Sequence, residues 1–338
     1  MLRPMRIPES ARRALRVLFI AKHANWEQGA HPEDGTHAVY HREIRQVLED
    51  IGVNLRVADR YDVLFERPDV DFVFPLLNRG GFMNSEMLLP LLCTRHGIPY
   101  LGASPILRGL SDDKHLTKMA ARALGAPTAH WAVYRRGAPI DRQLVPAARR
   151  WVVKPNASSA SWGVSAPNSW AEVREAVVRL HQEGHDAIVE PFIVGHDLEV
   201  SVITANGKPV ILPTQIVVQQ DPAGLRTYGE KRNLQPDQQY AIRPLADPEL
   251  LNMVEAYTRR LIPEFVPFDY GRFEFRLDLA EQRVEFLEIN LNCNLWSRKT
   301  ISIAAQQAGW THHQLIETIL AESLRRQGLL EEAVDLAA

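Results

Sequence analysis

Between Gly271 and Asn290 the chain alternates charged and apolar residues in a pattern that suits a pair of strands. Arg272, Glu274 and Arg276 interleave with Phe273, Phe275 and Leu277, and a second run, Val284–Asn290, carries Glu288 and Asn290 two positions apart. Strand side chains alternate between faces, so Arg272, Glu274 and Arg276 gather on one side with Phe273, Phe275 and Leu277 on the other, and Glu288 and Asn290 share a face on the second strand. The spacing predicts a hairpin, Phe273–Leu279 with Val284–Asn290, turning across Ala280–Arg283. If the two polar faces coincide, two carboxylates and an amide meet beside a guanidinium, a hard-oxygen donor set of the kind Mg²⁺ takes. Taken alone, the same pattern also fits a solvated face laced with ion pairs.

The rest of the chain limits what can surround that hairpin. Apolar strand runs at Leu15–Ala21, Asn54–Ala58, Asp69–Leu76 and Pro99–Gly102 alternate with helical patterns at Tyr40–Gly52 and Glu86–Arg95. This predicts a small open parallel α/β domain whose ligands sit at the carboxyl ends of its strands. It lacks Gly-x-Gly-x-x-Gly after the first strand, which argues against a dinucleotide. Further on come a helix over Ser111–Gly125 with Ser111 as its cap, a strand from Trp151, a helix Trp170–Glu183, a strand Ala187–Glu190, antiparallel runs at Asp197–Thr204 and Pro209–Val218, and helices Leu250–Ile262 and His313–Gln327. Met1–Arg16 is Arg-rich without a signal-like apolar core and reads as a short disordered tail. The formal charge of −2 gives no basic surface for nucleic acid, and no apolar run reaches the ~18–20 residues of a membrane span. Cys93 and Cys293, far apart and without a zinc pattern, fit a reducing cytoplasm, and Cys293 reads as apolar packing.

Two weaker features accompany the hairpin. Val152-Val153-Lys154-Pro155 runs into a small-residue loop ending at Gly163, so an ammonium and several backbone N–H groups could face phosphates; no Walker motif is present. Ile188-Val189-Glu190-Pro191-Phe192-Ile193 followed by Gly195-His196-Asp197 could offer backbone groups to an adenine edge and an acid to a ribose, or simply form a hinge.

In order along the chain, Asp113-Lys114, Lys154-Pro155, Glu190 with Gly195 and Asp197, Tyr228 with Lys231, Arg272 with Glu274, and Glu288-Ile289-Asn290 resemble the ATP-grasp superfamily, most closely its D-alanine–D-alanine ligase branch, over about residues 90–320. The resemblance implies an ATP-grasp fold, α/β and α+β, with an N-terminal open parallel α/β domain (1–104), a central subdomain (105–190) and a C-terminal subdomain carrying the metal and catalytic site (191–338). It implies ATP and two Mg²⁺ ions, with Mn²⁺ an acceptable substitute. Lys114, Lys154 and Ser161 would then hold phosphates, Glu190, Pro191, Phe192 and Ile193 would border adenine, and Asp197 would take the ribose. Lys231 would close over the triphosphate on a mobile loop, Arg272 would stabilise the acyl phosphate and tetrahedral centre, and Glu274, Glu288 and Asn290 would hold the metals.

The departures from that family concern the substrates. Leu76–Glu86, containing Arg79, replaces the family's His-Gly and Gly-Glu-Asp-Gly stretch, and Ala160 replaces a substrate-side serine. Cys293-Asn294 stands for Pro-Gly, which puts Asn294 among the catalytic candidates, and Lys299 and Thr300 fall where a Ser-Leu pair faces the acceptor carboxylate. Glu27, in the first strand-to-helix connection, is the candidate for a substrate amine. These changes argue for a carboxylate–amine ligase with a larger or more anionic substrate than D-alanine. D-alanine–D-alanine ligase itself, an ATP-grasp small-molecule kinase and a nucleotide-binding regulator stand as alternatives. The implied partners are small-molecule carboxylates and amines, without nucleic acid or membrane, and a homodimer is compatible with them.

Overall fold

The computed structural model describes residues 3–77, 85–158, 161–225 and 240–331; Arg79, Ala160, Tyr228 and Lys231 fall outside them. Three sheets organise the described chain. The first is parallel, in the order β2 (Asn54–Ala58), β1 (Arg16–Ile20), β3 (Phe72–Pro75). The second is antiparallel, in the order β4 (Ala132–Tyr134), β6 (Ala187–Pro191), β5 (Trp151–Pro155). The third is antiparallel, in the order β10 (Tyr240–Pro244), β9 (Gln215–Gln219), β7 (Gly195–Ala205), β11 (Tyr270–Asp278), β12 (Arg283–Asn290), with β8 (Lys208–Ile211) added to β7.

Helices α1 (Glu9–Ala14), α2 (His37–Ile51) and α3 (Leu88–His96) belong to the first third of the chain. They are followed by α4 (Pro105–Asp112), α5 (Lys114–Ala123), α6 (Trp170–Gln182), α7 (Pro248–Phe265), α8 (Thr300–Gln307) and α9 (His312–Arg326). Val17 and Phe19 of β1 share one core with α2, α8 and α9, while α6 covers the second sheet through Val173, Val177 and Leu180. Helices α4, α5 and α7 pack on the large sheet, so Ala121 and Phe265 meet Phe273, Phe275 and Phe286. Among the described residues no helix is long and apolar enough to cross a membrane.

Three local expectations are corrected. The N-terminal segment is not a loose tail. Met5 and Ile7 are buried, their N–H groups donate to Thr318 Oγ1 (2.9 Å) and Glu317 Oε1 (3.0 Å), and Arg12 pairs with Glu317 at 2.8 Å, so two apolar side chains and an ion pair fasten it to α9. Pro99–Gly102 is not a strand and makes one bridge, Tyr100 to Val73; Pro99 has no N–H, and the Gly102 N–H donates instead to buried Asp269 at 2.6 Å. Ser111 does not cap a helix. It lies buried in the last turn of α4, and Asp113 caps α5 by accepting from the Leu116 N–H.

Candidate active site

The hairpin forms, and its register decides the site. Glu274 lies directly opposite Glu288, and Arg272 opposite Asn290. A bulge between Glu274 and Phe275 makes this compatible with a packed core. Before it, Phe286 pairs with Phe275, and after it Ile289 pairs with Phe273, all four buried. Even-numbered residues therefore face the core up to Phe286 and odd-numbered ones from Ile289 onward. The extra residue turns Glu288 and Asn290 to the polar face of β11.

Two cavities flank this face. The larger, about 770 Å³, lies between the first sheet and the large sheet and is lined by Arg272, Asn290, Asn294, Lys299 and Thr300 from the C-terminal side. The smaller, about 140 Å³, lies between the second sheet and the large sheet and is lined by Lys154, Ser161, Glu190, Pro191, Phe192, Ile193, Asp197 and Glu274. Lys114, Ser158 and Glu288 line both. Lys114, at the start of α5, is held there because its Nζ pairs with Glu288 Oε2 at 2.9 Å and donates to the Ser158 carbonyl at 2.9 Å.

The small cavity is dominated by a buried charge cluster. Glu190 accepts from Lys154 at 2.5 Å and pairs with Lys118 at 2.9 Å, all three side chains being at most a tenth exposed. Burial opposes the Glu190 charge, but the two ammonium groups pull its pKa down to about 2. Burial likewise opposes the Lys154 charge, yet Glu190 and Glu288 hold it above the ordinary lysine value; for Lys118 burial wins and its pKa falls. The Glu190 side chain thus points at lysines, and Pro191–Ile193 continue along the cavity wall. Asp197 is engaged by Arg276 Nη1 at 2.8 Å, and the same guanidinium donates to the Ile193 carbonyl at 3.2 Å, which ties the wall to the large sheet.

Arg272 is gripped from two sides. Its Nε and Nη2 donate to Glu274 Oε1 (3.0 and 2.6 Å) and its Nη1 pairs with Glu199 Oε2 at 3.1 Å. Burial disfavours the guanidinium charge, but Glu199 and Glu274 more than offset it and raise the pKa. Asn290 Oδ1 accepts from the Asn292 N–H at 3.0 Å, and Asn294 Oδ1 from the Trp296 N–H at 2.9 Å, so both amides shape the turn after β12. Glu43 of α2 fastens that turn from the first third of the chain, accepting from Trp296 Nε1 (2.9 Å) and the Ser297 N–H (3.0 Å). Cys293 is buried as apolar packing, and burial pushes its thiol up to about 12.

Glu27 is exposed and does not line the large cavity. The first connection folds back on itself through the His31–Gly35 bridge and presents Asp34 instead. Asp34 Oδ2 bonds His23 Nε2 at 2.8 Å and pairs with Lys22. His23, whose pKa is lowered by burial, lines the wall together with His37 and His41. Arg79 and Lys231 lie outside the described residues. Glu199 was missed although β7 announces it: Asp197, Glu199 and Ser201 alternate with Leu198, Val200 and Val202, so Glu199 shares the polar face already assigned to Asp197.

The family model described as D-ala D-ala ligase C-terminus matches residues 122–321, more than half of the chain. The chain belongs to this family. It is 28% identical over 242 residues to the uncharacterized protein y4sG of Sinorhizobium fredii, covering 70% of each chain. It is 26% identical over 289 residues to a D-alanine–D-alanine ligase of Haemophilus ducreyi, covering 83% of this chain and 91% of that one. The Bacillus anthracis D-alanine–D-alanine ligase solved with ATP superposes with a TM-score of 0.72 at 17% identity, over 93% of this chain and 98% of that one. That likeness establishes the ATP-grasp fold, and with it the α/β and α+β architecture read from the sequence.

Proposed function

We propose that this ATP-grasp family member is an ADP-forming ligase that joins a carboxylate to an amine, with a substrate other than D-alanine. The observation that carries the reading is the junction of the two cavities: a phosphate donor in the small chamber and a carboxylate in the large one would meet at Lys114, Ser158 and Glu288. Glu274, Glu288 and Asn290 are hard oxygen donors on one face, a set that fits Mg²⁺. Bound there, Mg²⁺ would supply charge neutralisation for the triphosphate.

The remaining work falls to the chain itself. Lys114 and Lys154 would bind phosphate oxygens, and Pro191–Ile193 and Asp197 would border the nucleoside. A carboxylate oxygen of the substrate attacks the γ phosphorus as its bond to the β–γ bridging oxygen breaks, giving an acyl phosphate and ADP. An amine nitrogen then attacks the acyl carbon and loses a proton, and phosphate leaves with the C–O bonding pair. Arg272 would face the charge that develops at both centres. A lysine cannot reproduce its planar fork toward Glu199 and Glu274, so Arg272→Lys should lower kcat by about 10²-fold or more while the KM for ATP stays within a few-fold.

Substrate choice rests on Lys299 and Thr300, which open α8 on the wall of the large cavity. A cation at a helix N-terminus favours a carboxylate there. Screening ADP release over amino acids singly and in pairs, with mass spectrometry of the products, tests the proposal. Little turnover is expected with D-alanine alone, and Lys299→Ala should raise the KM of the acceptor more than that of ATP. Efficient D-alanyl-D-alanine synthesis would restore D-alanine as the substrate.

A further inference from the structure

Arg272 has two carboxylate partners, and they are not equivalent. Glu274 takes the Nε–Nη2 edge of the guanidinium, the edge suited to bidentate contact with a phosphate, and it is itself a member of the oxygen donor set. A cation held through Glu274 Oε1 would compete with that edge for the same oxygen. Glu199 takes the other side, through Nη1, from the neighbouring strand β7, where it stands in register with Glu274. Its side chain is 3% exposed, and its Oε2 also accepts from the Thr300 hydroxyl at the start of α8. Glu199 is therefore bound to Arg272 on one side and to the proposed acceptor wall on the other.

We propose that Glu199 is the positioning residue that keeps Arg272 aimed at the transferring phosphoryl group when Glu274 is engaged by a cation, and that Thr300 links this aim to the acceptor wall. The proposal rests on the ligase reading above, specifically on Arg272 meeting the phosphoryl group. A carboxylate held by a guanidinium and a hydroxyl has little freedom to turn, so Glu199 fixes the direction of the fork without touching substrate. Its neutralisation should spare nucleotide binding and damage only the state in which charge develops on the transferring group.

The test uses the full-length protein and two probes, ADP with Mg²⁺, and ADP with Mg²⁺ and aluminium fluoride, which mimics a phosphoryl group in flight. Calorimetric affinities are compared for the unmodified protein, Glu199→Gln, Glu199→Asp, Thr300→Val and Arg272→Ala. Glu199→Gln should bind ADP within about twofold of the unmodified protein and the fluoride complex at least about tenfold more weakly, the scale of one charge-assisted hydrogen bond. Glu199→Asp should recover part of the loss, and Thr300→Val should show a smaller loss of the same kind. Equal weakening of both probes by Glu199→Gln would show a purely structural residue and overturn the proposal, as would no weakening of either. If Arg272→Ala leaves the fluoride complex intact, the role of Arg272 falls and this inference with it. If Arg272→Ala weakens it and Glu199→Gln does not, only the inference falls.

Discussion

Glu288→Gln should cut turnover by about 10³-fold or more while leaving the melting temperature close to that of the unmodified protein. The two halves of this expectation have separate grounds. Glu288 is a quarter exposed at the mouth shared by both cavities, so its charge contributes little to holding the core together. Its Oε2 pairs with Lys114, and it stands opposite Glu274 in the strand register. Glutamine keeps the shape and loses the charge. That removes one of two carboxylates from the proposed donor set and releases Lys114 from its partner, just where the proposed phosphoryl transfer would depend on charge neutralisation. Steady-state ADP release and thermal unfolding on the same preparation check both halves. Near-normal turnover would remove Glu288 from the metal site, and a large fall in melting temperature would make it a structural residue instead.

The parts of this site that could be read from sequence are those where a strand period does the placing. Arg272 and Glu274 were legible because aromatic residues alternate with them, and Glu288 and Asn290 because they sit two apart. The bulge was not legible: Val284, Phe286, Glu288 and Asn290 share one parity, and only the observed pairing of Phe286 with Phe275 and Ile289 with Phe273 shows that the face changes between them. Lys118 escaped notice for a different reason. Four residues after Lys114 it reads as an ordinary helix surface position, and only the docking of α5 on β12 makes it fully buried beside Glu190. No period governs the first connection, so nothing in the spacing said that Asp34 rather than Glu27 would line the cavity. The N-terminal segment held the opposite lesson. Two apolar residues, Met5 and Ile7, among arginines were too few to signal a docked segment until α9 supplied the surface that covers them.

The largest expected effect on stability lies at Glu190. Two buried ammonium groups, on side chains at most a tenth exposed, share this one carboxylate, and Glu190→Leu would leave both without it. Removing one partner from a buried ion pair costs about 3–5 kcal/mol, because the remaining charge keeps its desolvation penalty and loses its compensation. Lys118→Met should cost much less, since Glu190 retains Lys154. The double variant Lys118→Met with Glu190→Leu should be more stable than Glu190→Leu alone, because it deletes the more deeply buried of the two ammonium groups. Urea unfolding without nucleotide reads all three, and a double variant no better than the single one would mean that Lys118 escapes to solvent and the cluster is not the rigid unit described. The pH dependence gives an independent check. Glu190 is pulled from an ordinary 4.5 to about 2 in the fold, so its contribution is fully present above about pH 4.5 and is lost as the pH falls toward 2. The unmodified protein should therefore lose stability more steeply over that window than Glu190→Leu, which has no carboxylate there to protonate.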